Sequence, residues 1–287
     1  MRTAPVNRSW WLLLLIGVAL AAAALQPARA QASEQPWYAW HLKVDFPDRS
    51  PLPRQPRIIY TAYTVKGSPA NVVSWSQTDI SSNCAVVGAL SYDQDGYAIF
   101  NGASYIRCPL PPKPPGAICS VGMFWLAADV RLTQQRRVNP LFEGARAGTS
   151  QFFLSVPRDG GTARTRLEIG GQSYTTSPWT ASGWSDGNRV LFGAEGSLMA
   201  DVVGYFETQG MDWLGFMDGW EQYFDPYVTG GKLMHLVQSP SATWETSHGP
   251  LSSDAQHVYI GYSPSTGTYF NGGLRSGEID PPGCYGG

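Results

Sequence analysis

Charge is scarce in this sequence. Only 15% of its 287 residues are Asp, Glu, Lys or Arg, and the formal net charge is −2. With no basic excess there is no electrostatic footprint for nucleic acid. Beyond residue 30 no apolar stripe recurs at i, i+3, i+4 and i+7, so long amphipathic helices are not expected. No apolar run after that point is long enough to span a bilayer. Nucleotide-binding glycine loops are missing. The histidines, His41, His235, His248 and His257, form no metal-spaced pair, and no C-x-x-C occurs.

What is present is turn-forming and aromatic. The chain holds 32 Gly and 22 Pro with 11 Trp, 14 Tyr and 11 Phe. That aromatic content supplies enough apolar surface to exclude disorder, and the glycines follow no collagen period.

The first thirty residues read as a secretory signal peptide. Arg2 and Arg8 precede the apolar run Trp10 to Leu25, and Ala28-Arg29-Ala30 is an A-x-A cleavage pattern. The rival, a retained membrane anchor, would need a longer run. Cleavage would make Gln31 the first mature residue. It would also remove three arginines and no acid, taking the net charge to near −5. The expected location is secreted, periplasmic or at the cell surface, with no membrane span after removal of the leader.

Cys84, Cys108, Cys119 and Cys284 then suggest two disulfides in an oxidising compartment. The preferred pairing is Cys108–Cys119, clipping the proline-rich loop between them, with Cys84–Cys284 tying the tail back. In the rival, Cys84–Cys108 would flank a hairpin turning at Asp93-Gln94-Asp95-Gly96.

Residues 31–57 read as irregular because Pro36, Pro47, Pro51, Pro53 and Pro56 recur there. From Arg57 the residues become β-branched and aromatic. Phe124, Leu126, Ala128, Val130 and Leu132 alternate with Trp125, Ala127, Asp129 and Arg131, a period of two. Similar alternation recurs near residues 152–156, 167–169, 190–194 and 258–262. Turn signals such as Asp95-Gly96, Asp186-Gly187 and Asp218-Gly219 separate the runs. Many short strands joined by turns predict an all-β sandwich, jelly roll or barrel.

Four blocks resemble, in order, a laminin-G-like, concanavalin A-like jelly-roll domain. The first is Tyr97-Ala98-Ile99-Phe100-Asn101-Gly102-Ala103-Ser104-Tyr105-Ile106. The second is Met123 to Val130, with Trp125 among apolar residues. The third is Ala200 to Tyr205 followed by Trp213 to Gly219. The fourth is Val258 to Tyr262 with Tyr269-Phe270-Asn271-Gly272-Gly273-Leu274. The resemblance implies an antiparallel two-sheet jelly-roll sandwich over residues 97–287, with residues 31–96 an irregular N-terminal extension packed on it or adding strands. The family's usual Trp-His-His before the middle strand is missing; Ser197-Leu198-Met199 stands there.

The resemblance and the aromatics together suggest a non-catalytic binding protein for an extracellular glycan. The candidate stacking residues are Trp179, Trp184, Trp220, Tyr223 and Trp244, all in loop-like or turn-flanking stretches. Flat rings stack on sugar faces, and a few polar groups fix orientation. Asp218, Glu221 and Asp225 crowd into eight residues and would suit Ca²⁺, the one cofactor considered, or would be solvated acids at a hairpin turn. The alternative function is a structural or protein-binding component of a surface assembly. A glycoside hydrolase ranks below both. Glu278 and Asp280 imitate two carboxylates of an E-x-D-x-x-E pattern, but the second glutamate is absent.

Overall fold

The computed structural model describes residues 37–46, 55–66, 71–112, 118–121, 124–132, 138–180, 188–194, 231–237, 242–248, 253–280 and 283–285. Apart from one 3-10 turn at Ser81–Asn83, their regular structure is all strand.

In chain order the strands begin with β1 (Trp37–Asp45), β2 (Arg57–Lys66), β3 (Asn71–Asp79), β4 (Ala85–Val87), β5 (Ser91–Tyr92) and β6 (Ala98–Asn101). Then come β7 (Tyr105–Pro109), β8 (Ile118–Val121), β9 (Phe124–Leu132), β10 (Pro140–Arg146), β11 (Thr149–Ser155) and β12 (Arg158–Asp159). Next are β13 (Thr162–Ala163), β14 (Arg166–Ile169), β15 (Gln172–Thr175), β16 (Trp179–Thr180), β17 (Asn188–Ala194) and β18 (Gly231–Val237). The last are β19 (Ala242–His248), β20 (His257–Ile260), β21 (Tyr262–Ser263), β22 (Thr268–Tyr269), β23 (Asn271–Asp280) and β24 (Gly283–Tyr285).

Among the described residues these strands build two main antiparallel sheets. The larger runs β19-β18-β17-β9-β23-β1-β2-β3, with β6 also on β23 and β24 on β1. The smaller runs β15-β14-β11-β10-β20-β7-β4. Successive segments cross between sheets: β6 lies in the larger, β7 in the smaller, β9 in the larger, β10 and β11 in the smaller. This is the two-sheet antiparallel jelly-roll sandwich that the resemblance implied.

The core lies between the sheets. Leu42, Val44, Ile58, Leu126, Ala128, Val130 and Ile279 from the larger sheet pack with Phe142, Phe152, Leu154, Val258 and Ile260 from the smaller. The period of two read from β9 holds, with Leu126, Ala128, Val130 and Leu132 buried inward.

Two Phe-Asn-Gly turns carry the chain into and out of the larger sheet. Asn101 pairs with Asn271, and Gly102 N–H donates to the Phe270 carbonyl at 3.1 Å. Phe100 and Phe270 meet in the core at 5.7 Å between ring centroids. The first and fourth resemblance blocks therefore describe one structural unit, although 170 residues separate Asn101 from Asn271.

The N-terminal extension adds strands to the larger sheet, and residues 37–45 are not irregular as their proline surroundings suggested. Trp37–Asp45 is a nine-residue strand that pairs with β2 along its whole length and with β23 from Leu42 to Asp45. No proline lies between Trp37 and Asp45. The prolines bracket the strand rather than interrupt it. Leu42 and Val44 face the core while Lys43 and Asp45 face outward, and Trp40 stacks on Tyr60 at 6.0 Å.

The preferred disulfide pairing is also overturned. Cys84 is bonded to Cys108, which excludes both Cys108–Cys119 and Cys84–Cys284. The cause is register: Ala85 lies opposite Arg107 on β4 and β7, which sets the two cysteines side by side. The rival pairing is the observed one. Cys119 and Cys284 fall on β8 and β24, which pair with each other.

Candidate functional site

The outer face of the smaller sheet carries the densest cluster of half-buried aromatic rings among the described residues. On β20, Val258 and Ile260 point into the core, which turns His257 and Tyr259 outward. On β7, Ile106 and Cys108 point inward, which turns Tyr105 and Arg107 outward. Tyr259 and Arg107 are direct cross-strand partners.

After Ile260 the chain bends sharply at Gly261, whose φ of +78° suits glycine. A side chain there would also strike Phe100, 2.5 Å from an ideal Cβ. The bend brings the β21–β22 hairpin back over the sheet. Tyr262 stacks on Tyr105 at 4.8 Å and lies 4.6 Å from Tyr269, its hairpin partner. Tyr259 stands 6.1 Å from Tyr262 and 6.3 Å from Tyr105. Four phenol rings thus form one contiguous cluster, a stepped platform whose ring planes are inclined to one another by 30° to 64°, each half-buried. Burial, then the neighbouring tyrosines and Glu143, push the Tyr262 phenol up, so it stays neutral.

One edge of the platform is cationic. The Arg107 guanidinium lies 5.9 Å over the Tyr259 ring, and its Nη2 donates to His257 Nε2 at 2.8 Å. Burial first, and the Arg107 charge second, hold the His257 imidazole below its ordinary pKa. A neutral ring can accept that hydrogen bond.

Beneath the platform sits Glu143, cross-strand partner of Tyr259 and fully buried. Its Oε2 accepts from Ser265 Oγ at 3.1 Å, while Oε1 has no hydrogen-bond partner. Burial pushes this carboxyl above its ordinary range, against the opposing pull of hydroxyls on Ser263, Ser265 and Ser150. Glu143 fastens the hairpin that carries Tyr262 and Tyr269 onto the sheet.

A second polar cluster, on the outer face of the larger sheet, is built as structure. Tyr97 Oη donates to Asp129 at 2.7 Å, and Arg275 also reaches Asp129. Arg131 bonds Asp93 at 2.8 Å and Asp95 at 2.9 Å, and lies 4.0 Å over the Tyr97 ring. Asp93 Oδ1 accepts the backbone N–H groups of Asp95 and Tyr97. Those acids close the β5–β6 hairpin, the role that hairpin chemistry predicts for Asp93-Gln94-Asp95-Gly96. Among the described residues no group of three His, Cys, Asp or Glu side chains could hold a metal.

Of the sequence-derived stacking residues, only Trp179 and Trp244 fall among the described residues. Trp179 lies on β16, in the three-stranded sheet with β12 and β13, and Trp244 lies on β19, at the edge of the larger sheet. Trp184, Trp220 and Tyr223 lie outside the described residues, as do Asp218, Glu221, Asp225 and the leader 1–30. Glu278 is buried on β23, between Lys43 of β1 and Ala127 of β9.

Sequence reasoning passed over the tyrosines by ranking tryptophan first. The available signal was alternation: His257 and Tyr259, like Tyr105 and Arg107, occupy the outward positions of runs whose other residues are apolar.

No family model matches the chain, and no curated protein does. Solved structures give likenesses at low identity. The mouse laminin alpha1 chain, domains LG4-5, is 8% identical with a TM-score of 0.36, covering 85% of this chain and 81% of that one. The carbohydrate-binding module CBM66 from Bacillus subtilis is 9% identical with a TM-score of 0.31, covering 71% and 96%. The binding domain of botulinum neurotoxin DC in complex with SialylT is 7% identical with a TM-score of 0.36, covering 73% of this chain. The matched region spans only 44% of that toxin chain.

Proposed function

We propose that this protein binds an extracellular glycan without cleaving it, and that the tyrosine platform is the contact surface. The observation that carries the reading is the continuous set of rings at Tyr105, Tyr259, Tyr262 and Tyr269, with centroids 4.6 to 6.3 Å apart. Flat rings held on strands give a sugar ring area to stack on at little entropic cost, and phenol hydroxyls offer polar partners. Tyr262 and Tyr105 are each in contact with all of the other three rings.

Truncating Tyr262 to alanine is expected to weaken glycan binding at least tenfold, equivalent to ~1.4 kcal/mol. Isothermal titration of the wild type and Tyr262→Ala against ligands selected from a glycan array measures this. Equal affinities would remove the platform from the binding surface. Repeating the titration in EDTA tests the calcium site proposed at Asp218, Glu221 and Asp225. Unchanged binding would overturn it.

A protein partner is the second reading. Val86 and Val87 on edge strand β4 are 38% and 39% exposed, and Val87 lies opposite Tyr105. Val87 extends the platform with apolar surface, which suits a protein contact better than a sugar, while Val86, opposite the inward-pointing Ile106, lies on the other face of the strand. Asp substitution at Val87 would impair a protein contact and leave glycan affinity unchanged. Export is part of the proposal too. The Cys84–Cys108 bond is compatible with an oxidising compartment. Among the described residues no helix is long and apolar enough to cross a membrane.

A further inference from the structure

We infer that the sugar taken by this platform carries a carboxylate, and that Arg107 is the residue that holds it. This deepens the glycan reading and rests on it. Arg107 is fixed from both sides, because its strand lies between β20 and β4 with Tyr259 and Ala85 as its partners. Ala85 is too short to cover the guanidinium from the β4 side. His257 takes one N–H of Nη2 and the Tyr259 ring lies under the group.

Among the described residues no carboxylate pairs with Arg107. Arg131, Arg146, Arg166 and Arg275 each meet an aspartate or glutamate, while Arg158 and Arg164, which also lack a carboxylate among these residues, donate to backbone carbonyls. An exposed guanidinium keeps its full charge and most of its donors when its partners are a neutral imidazole and a phenol ring. Its planar fork matches the two oxygens of a carboxylate. Glu143, two strands away in the same cross-strand row, is fully buried under the Ser263–Ser265 turn and makes no ion pair with it.

The chemistry is that of a uronic or sialic acid, whose ring stacks while its carboxylate reaches the platform's edge. One cation does not make a polyanion site. The chain's net negative charge agrees with recognition of a single acidic group, with a shallow dependence on salt.

The test uses matched pairs on the full chain. Sialyllactose is compared with lactose, galacturonan oligosaccharides with their methyl esters, and sulfated lactose completes the set. The wild type is expected to prefer at least one acidic member over its neutral partner by tenfold or more. Arg107→Gln should abolish that preference. Which pair responds separates a sialic from a uronic source.

Equal affinity within both pairs overturns the inference and leaves the glycan reading standing. No binding to any member overturns both. Binding to the sulfated sugar alone overturns the carboxylate, and a preference that survives in Arg107→Gln overturns the role of Arg107. Should that variant not fold, Arg107→Lys, which keeps the charge without the fork, must lose most of the preference for the same conclusion to hold.

Discussion

Glu143 couples the chemistry of one residue to the stability of the chain. It is fully buried, one of its oxygens has no hydrogen-bond partner, and burial raises its pKa. The folded state therefore keeps, above the ordinary carboxylate range, a proton that the unfolded state has already released within it. Between those two values the folded chain binds more protons, so this group's contribution falls as pH rises through the window. Above the folded pKa its full cost is present. Glu143→Gln removes the titration while keeping the shape. The expected outcome is a stability gap in favour of the variant that is smallest near pH 4 and widens towards neutrality. Chemical denaturation at several pH values measures it; a gap independent of pH would mean that Glu143 does not titrate in this range. This residue shows where sequence reading ends. In sequence Glu143 is an ordinary acid between Phe142 and Gly144, and only the hairpin folded over it makes it buried.

At the scale of elements, period-two alternation was legible and the covering of each face was not. In β9 the inward set is as expected, but Asp129 and Arg131 on the other face are buried too, beneath Tyr97 and the β5–β6 hairpin. A one-residue register shift in β23 between Leu274 and Ser276 falls where Arg275 meets Asp129. Strand β1 was missed because proline density was averaged across its boundaries.

The glycines give a sharp test at this scale. In β10, an ideal Cβ on Gly144 would lie 2.1 Å from the Phe152 ring of β11. Gly161, in the turn between β12 and β13, has nothing within 4 Å. Gly144→Ala should therefore lower stability by about 1–3 kcal/mol through overpacking. Gly161→Ala should stay within about 0.5 kcal/mol of wild type. Paired urea melts decide it, and equal shifts would contradict the β10–β11 packing.

The whole molecule is held by long-range ties. Cys84–Cys108 joins β4 to β7 across 24 residues of sequence. With that bond made, the remaining two cysteines sit on the paired strands β8 and β24. Peptide mapping without reductant should recover Cys84–Cys108 and Cys119–Cys284; a Cys108–Cys119 peptide would contradict the register of β4 on β7. Removing Cys84 and Cys108 together should cost about 2–4 kcal/mol. Sequence alone left three pairings open because spacing does not reveal strand register.

The larger sheet has its keystone at the end of the chain. β23 bonds to β1, β6 and β9, so β1 waits for a partner strand that is synthesised much later. Until β23 arrives, three rims of unmatched amides stand open to one another's copies. Fidelity in making this protein depends on bringing the tail home before neighbouring chains can take its seat.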